Sequence, residues 1–335
     1  MTRRRLLIIT FAGQAIVFAV VAVIALDLYA HKRLDSVAGR NIWGYRGAVA
    51  HQKQPREIRL AVVGGTRAFG LGMPASWTIA TVLRQQVMLV TDRRGGDVRQ
   101  VVPLTLAHPG ALPDSYANTL EHFAYLNPDY VCIYDDLGVG GAALPEETSG
   151  MFAHTGYWPA LPLALQEKGM VWRYGSVRAG YGGSATPMPT TWPGRAAGAV
   201  LQSAGAGLAS IDQFMARPAA AHRADDPERY ATQMMQAVDV ALEHARGVVV
   251  ALAPAESRLQ ASNLAAVLPR LNATLPATPA LRVVNLAGER LLTDRSQRLD
   301  DWNYGGDAIA AAANAIVPPM LELIAQSERP AAPSR

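Results

Sequence analysis

The chain has 335 residues, half of them hydrophobic and 17% charged, which excludes both a disordered chain and a polytopic membrane protein. The single cysteine, Cys132, excludes an internal disulfide framework and any Cys-rich zinc or iron–sulfur site. Arg3, Arg4 and Arg5 supply three of the four net positive charges, so the remainder carries no basic footprint and nucleic acid is not an expected partner.

Residues 1–5 form a basic N-terminus. Leu6 to Leu26 then runs apolar, with only Thr10, Gly13 and Gln14 interrupting it. A helix there spans roughly 30 Å, the thickness of a bilayer core. A cleaved signal peptide has a shorter apolar region and a small-residue cleavage site. This run ends instead in Asp27-Leu28-Tyr29, which predicts a retained transmembrane anchor over 6–26, in contact with the lipid bilayer. The arginines predict an N-terminus inside, at a bacterial cytoplasmic membrane, and a periplasmic body; His31, Lys32 and Arg33 on the other flank pull the opposite way.

Residues 27–56 read as a polar juxtamembrane stalk, and 57–326 as one domain. Five apolar runs predict parallel strands buried on both faces: Ile58–Val63, Val98–Leu106, Tyr130–Tyr134, Val248–Leu252 and Leu281–Leu286. Helices are expected over Trp77–Leu89, Ser115–Leu126, Pro227–Arg246 behind the Asp226 cap, and about Asp307–Gln326, which Pro318-Pro319 should break or kink. The alternation predicts a three-layer α/β/α fold with a five-stranded parallel sheet and a site at the carboxyl ends of the strands. An insertion, 137–230, holds Trp158, Trp172 and Trp192, which either pack locally or form a docking surface for a partner. Residues 327–335 read as a flexible tail.

Four blocks carry a family resemblance. Gly64-Gly65-Thr66-Arg67-Ala68-Phe69-Gly70-Leu71-Gly72 ends the first strand. His108-Pro109-Gly110-Ala111 follows the second. Pro128-Asp129-Tyr130-Val131-Cys132-Ile133-Tyr134 forms the third strand. Asp300-Asp301-Trp302-Asn303-Tyr304-Gly305-Gly306-Asp307 precedes the last helix. In this order and spacing they resemble the SGNH (GDSL-type) hydrolases. The resemblance implies a serine nucleophile, a histidine base oriented by an aspartate three residues earlier, and a glycine and an asparagine in the oxyanion hole. Here Thr66 takes the serine position, Asn303 the histidine position and Asp300 the aspartate position. Gly110 keeps the oxyanion position, while Asp135-Asp136 offers carboxylates where a neutral donor is wanted. An amide cannot accept a proton at neutral pH, and a carboxylate repels an oxyanion. The resemblance therefore implies an SGNH-hydrolase-like pseudoenzyme.

The remaining residues offer few substitutes. His108 is expected near the same rim, and an active enzyme would use Thr66 with His108 or another histidine as base. The histidines at 31, 51, 122, 154, 222 and 244 lack metal-ligand spacing, and neither a metal nor a cofactor is expected. The two acidic pairs read as solvated or Arg-paired, with Arg67 a candidate partner. The expected role is structural: a subunit that helps assemble a larger membrane complex, of the envelope or of an energy-transducing (for example photosynthetic) kind. Two other readings stay open, an esterase or O-acyl transferase acting on envelope glycans and a ligand-binding module using the relic cleft.

Overall fold

The computed structural model describes residues 3–34, 39–70, 73–93, 100–137, 149–180, 190–216, 226–299 and 303–327. A long helix, α1 (Arg3–Leu34), leads into the body. Its stretch Thr10–Lys32 is long and apolar enough to cross a membrane. Five strands follow, β1 (Ile58–Gly64), β2 (Val101–Thr105), β3 (Tyr130–Asp135), β4 (Gly247–Leu252) and β5 (Leu281–Asn285), in one parallel sheet of order β2-β1-β3-β4-β5. The three central strands are buried along their whole length. That burial is why their sequences run apolar without alternation.

The other main helices are α2 (Ile79–Arg93), α3 (Pro113–His122), α4 (Gly150–Thr155), α5 (Leu161–Tyr174), α6 (Trp192–Phe214), α7 (Pro227–His244), α8 (Arg258–Thr274) and α9 (Gly306–Ser327). Helices α3, α7 and α8 cover one face of the sheet, where Tyr116, Tyr230, Met234 and Leu271 meet Val131, Ile133 and Val250. Helices α2 and α9 cover the other, where Leu83, Ala312, Ile316 and Met320 meet Val62, Cys132 and Val249. The fold is thus three-layered, and the chain reverses its direction of strand addition beside β1. The carboxyl ends of β1 and β3 flank that switch, the place where doubly wound sheets bind ligands.

Several expectations need correction. Helix α9 is not ended by Pro318 or Pro319; it continues to Ser327, with Val317, Met320, Leu323 and Ile324 buried against the sheet layer. The packing of that face outweighs two missing backbone donors. Nor is 27–56 a stalk. Helix α1 extends to Leu34, and residues 39–56 fold onto the body, burying Asn41, Tyr45 and Arg46. The Arg46 guanidinium donates to the carbonyls of Phe69, Gly70 and Met73, and its backbone pairs with Thr105. The described residues of the insertion are largely helical, with α5 and α6 packed antiparallel through glycines. An added Cβ at Gly169 would lie 2.5 Å from the Gly198 carbonyl, and one at Gly205 would lie 2.6 Å from the Pro162 carbonyl. At the other terminus, Ser327 closes α9 with a hydroxyl 2.5 Å from that of Tyr130; 328–335, the rest of the expected tail, lie outside the described residues.

Candidate functional site

The first strand ends at Gly64, where a Cβ would strike the Tyr134 carbonyl, and turns through Gly65, where a Cβ would lie 2.9 Å from Asp136 Oδ2. Only glycine allows a turn this close to β3. One turn of helix, Thr66–Phe69, follows and is closed by Gly70 in the left-handed region. The Thr66 side chain is buried at 5% exposure. Its hydroxyl oxygen accepts the backbone N–H of Gly110 at 2.7 Å. The structure therefore brings together two of the four family positions, Thr66 and Gly110. Asn303 is also buried, at 3% exposure, and its carbonyl accepts the N–H of Leu299. Asp300 lies outside the described residues, as do Asp301 and Trp302.

No histidine is hydrogen-bonded to the Thr66 hydroxyl among the described residues. His108 lies in the loop after β2, and its backbone N–H donates to Gly64. Its imidazole is buried and faces elsewhere: Nδ1 accepts Arg40 Nη2 at 3.2 Å, and the ring lies against Phe123. Arginine only donates, so the Nδ1 lone pair is occupied and a neutral ring carries its proton on Nε2. Burial, then the charges of Arg40 and His122, hold this histidine well below its ordinary value. It is a neutral ring, but its one basic nitrogen is taken.

Arg67, next to Thr66, organises the rim. Its Nη1 donates to the Tyr304 hydroxyl at 2.8 Å and its Nη2 to Glu256 Oε1 at 2.8 Å, while Arg298 Nη2 donates to the same Glu256 oxygen at 2.6 Å. The Tyr304 hydroxyl completes the triangle by donating to Glu256 at 3.1 Å. Burial pushes the Glu256 carboxyl up, but the Arg67 hydrogen bond and the charges of Arg67 and Arg298 outweigh it and leave the group below the usual range. Asp136 accepts the Arg67 backbone N–H at 3.1 Å. Burial raises its carboxyl to about 6, with the Arg67 charge holding it down. Arg67 thus meets Asp136 through its backbone N–H, while its guanidinium is engaged by Glu256 and Tyr304.

Asp135 turns the other way, into the α3 and α7 layer, where the hydroxyls of Tyr116 and Tyr230 both donate to it. Burial raises it to about 7. The two adjacent carboxylates therefore serve different faces of the sheet. Glu256, Tyr116 and Tyr230 were not singled out by sequence. The available signal for Glu256 was its position just beyond β4, at the carboxyl rim. The three tryptophans separate as well. Trp158 packs against the core beside Phe152 with the Arg40 guanidinium 4.0 Å from its ring centroid, so it is a packing residue. Trp172 and Trp192 stand on the outer end of the α5–α6 hairpin, 41% and 74% exposed.

No family model and no curated protein matches the chain by sequence. Solved structures resemble it in fold. A family 3 carbohydrate esterase of Clostridium thermocellum is 12% identical, covering 81% of this chain and 98% of that one, with a TM-score of 0.40. A family two carbohydrate esterase from Clostridium thermocellum, in complex with cellohexaose, is 9% identical over 83% of this chain and 68% of that one, with a TM-score of 0.43. A lipolytic protein of the G-D-S-L family from Desulfitobacterium hafniense DCB-2 is 9% identical over 78% and 98% of the two chains, with a TM-score of 0.39. The functional reading is carried by the chain's own residues.

Proposed function

We propose that this chain is a non-catalytic relative of the SGNH hydrolases, tethered by α1 to the bacterial cytoplasmic membrane with its body periplasmic. Its role is that of a structural or assembly subunit of a larger membrane complex. One observation carries the loss of catalysis. The hydroxyl in the nucleophile position is buried and accepts the amide that should stabilise an oxyanion, with no histidine among the described residues bonded to it. A nucleophile needs a base for its proton and free donors for the developing charge; here the Gly110 N–H is turned onto the Thr66 hydroxyl itself, and no histidine among the described residues is bonded to that hydroxyl. An amide, Asn303, stands in the base position. The Arg67–Tyr304–Glu256–Arg298 cluster occupies the rim where a substrate would enter, which also disfavours a ligand-binding module. The exposed Trp172 and Trp192 are the candidate contacts to neighbouring subunits.

The test combines isolation and assay. The native membrane is solubilised in mild detergent, the chain is isolated, and its companions are identified by mass spectrometry. A constant set of membrane proteins in fixed ratio, and acyl-ester hydrolysis no faster than that of Thr66→Ala, is the expected result. A lone chain whose turnover is abolished by Thr66→Ala would overturn the proposal in favour of an esterase or O-acyl transferase.

A further inference from the structure

The anchor helix meets the body through a specific polar clasp. Asp27 Oδ1 accepts the Leu161 backbone N–H at 2.6 Å, and its Oδ2 accepts the Tyr157 hydroxyl at 2.5 Å. One turn later the His31 imidazole bonds the Trp158 carbonyl at 2.8 Å. The clasp holds the loop 157–161, and with it the start of α5, directly against α1. Beside it lies a groove of about 480 Å³, lined by Val23, Ile24 and Leu28 of α1 and by Leu208, Ile211 and Met215 on and just beyond α6. Among the described residues no lysine or arginine lines it. Its two carboxylates are spent on the protein, Asp27 in the clasp and Asp212 on the Met151 N–H.

Among the described residues the lip of this groove is apolar and uncovered. Phe214 is 91% exposed and Ile211 63%, and Met215 is also exposed. Val23 and Ile24, on the opposite wall, belong to the uncharged run that ends at Leu26. Asp27 stands four residues after Val23, about 6 Å further along the helix axis. The end of α6 therefore lies level with the last turn of the anchor's apolar run, and one continuous apolar surface joins them. The phase that receives Val23 and Ile24 must reach this lip.

We propose that Ile211, Phe214 and Met215, with the groove behind them, are seated in the outer acyl-chain boundary of the bilayer that holds α1. This rests on the reading of α1 as a membrane anchor. The body then touches the membrane at two places and lies on its surface. The occupant of the groove is a lipid acyl chain from that leaflet.

The full-length chain, reconstituted in vesicles of phosphatidylcholine and phosphatidylglycerol, carries a nitroxide on Phe214→Cys. Reference labels sit on Val17→Cys in the anchor and Tyr125→Cys on the body, at exposed positions. Native Cys132 is fully buried, and burial pushes its thiol up to about 12, so it stays unlabelled. Collision of each label with oxygen, which concentrates in lipid, is compared with collision with a water-soluble nickel chelate. The proposal expects the ratio at 214 to follow that at 17 and to exceed that at 125 several-fold. A lipid-exposed label at 17 with a water-exposed one at 214 overturns it and leaves the anchor standing. Shielding of 214 from both reagents also overturns it, and assigns the lip to a protein neighbour. A water-exposed label at 17 removes the anchor reading itself.

Discussion

The Asp135 carboxyl lies at 1% exposure between two phenols, and Asp136 at 2% against the first turn. Their folded values of about 7 and about 6 stand above the ordinary 3.8, with burial the leading cause in both. An acid raised in this way favours the fold fully while both states are protonated, below 3.8, and that contribution is lost as pH rises through 6 to 7. His108 works in the opposite sense. Its ring is held below 6.5 by burial, so its contribution is complete above that value and declines as pH falls. The difference between wild type and Asp135→Asn isolates the aspartate from the histidine. The unfolding free energy of Asp135→Asn, measured in denaturant, should gain on the wild type steadily between about pH 4 and 7. A difference that stays flat over that range would show that Asp135 is ionised throughout. Single positions of the candidate site could be read from the sequence because each closes a strand or opens a helix: Thr66 after β1, Gly110 after β2, Asn303 before α9. Their partners could not. Arg67 reaches Glu256 across 189 residues and Tyr304 across 237, and no local pattern marks such a pair.

Among the elements, β1, β3 and β4 were legible because burial on both faces leaves a nearly continuous apolar run, broken in β1 by Arg59 and ended in β3 by Asp135, and α7 because Asp226 and Pro227 announce its start. The Asp226 carboxylate does accept the N–H groups of Glu228 and Arg229. The α5–α6 hairpin escaped notice for a physical reason. Its contact face is made of glycines, which count against a helix in isolation, yet they let two backbones approach within a distance no side chain allows. This gives a paired prediction. An added Cβ at Gly198 would meet the Gly169 carbonyl at 2.7 Å and the Arg173 nitrogen at 3.0 Å, whereas nothing lies within 4 Å of one at Gly207. Gly198→Ala should cost about 1–3 kcal/mol by forcing the helices apart. Gly207→Ala should gain about 0.5–1 kcal/mol from restricted unfolded-chain freedom. Thermal unfolding would show midpoint shifts of opposite sign; two losses of equal size would argue that the glycines serve something other than close packing.

For the whole molecule, the decisive join is that between α1 and the body. Residues 39–56, a polar run without periodicity, carry no signal of the Arg46 cluster that folds them down, so a stalk was the natural reading. With the clasp in place the body and α1 tilt and rotate together. Asp27→Ala removes both acceptor oxygens and leaves the Leu161 N–H without its bond, a loss of about 1–3 kcal/mol at the join. Spin labels on α1 at Val21→Cys and on α5 at Val171→Cys, both exposed, would show a narrow distance distribution in the parent and a broad one in Asp27→Ala. Equal widths would mean that apolar contacts alone hold the two together. The clasp also has a bearing on how the chain is made. Asp27 and Leu161 are separated by 134 residues, so the latch cannot close until that much more chain has been synthesised. At the usual pace of translation of about 5–20 residues per second, the anchor waits on the order of ten seconds. If α1 is the anchor proposed above, the bilayer alone holds it during that interval, free to turn about its axis, and the arrival of the 157–161 loop fixes its bearing.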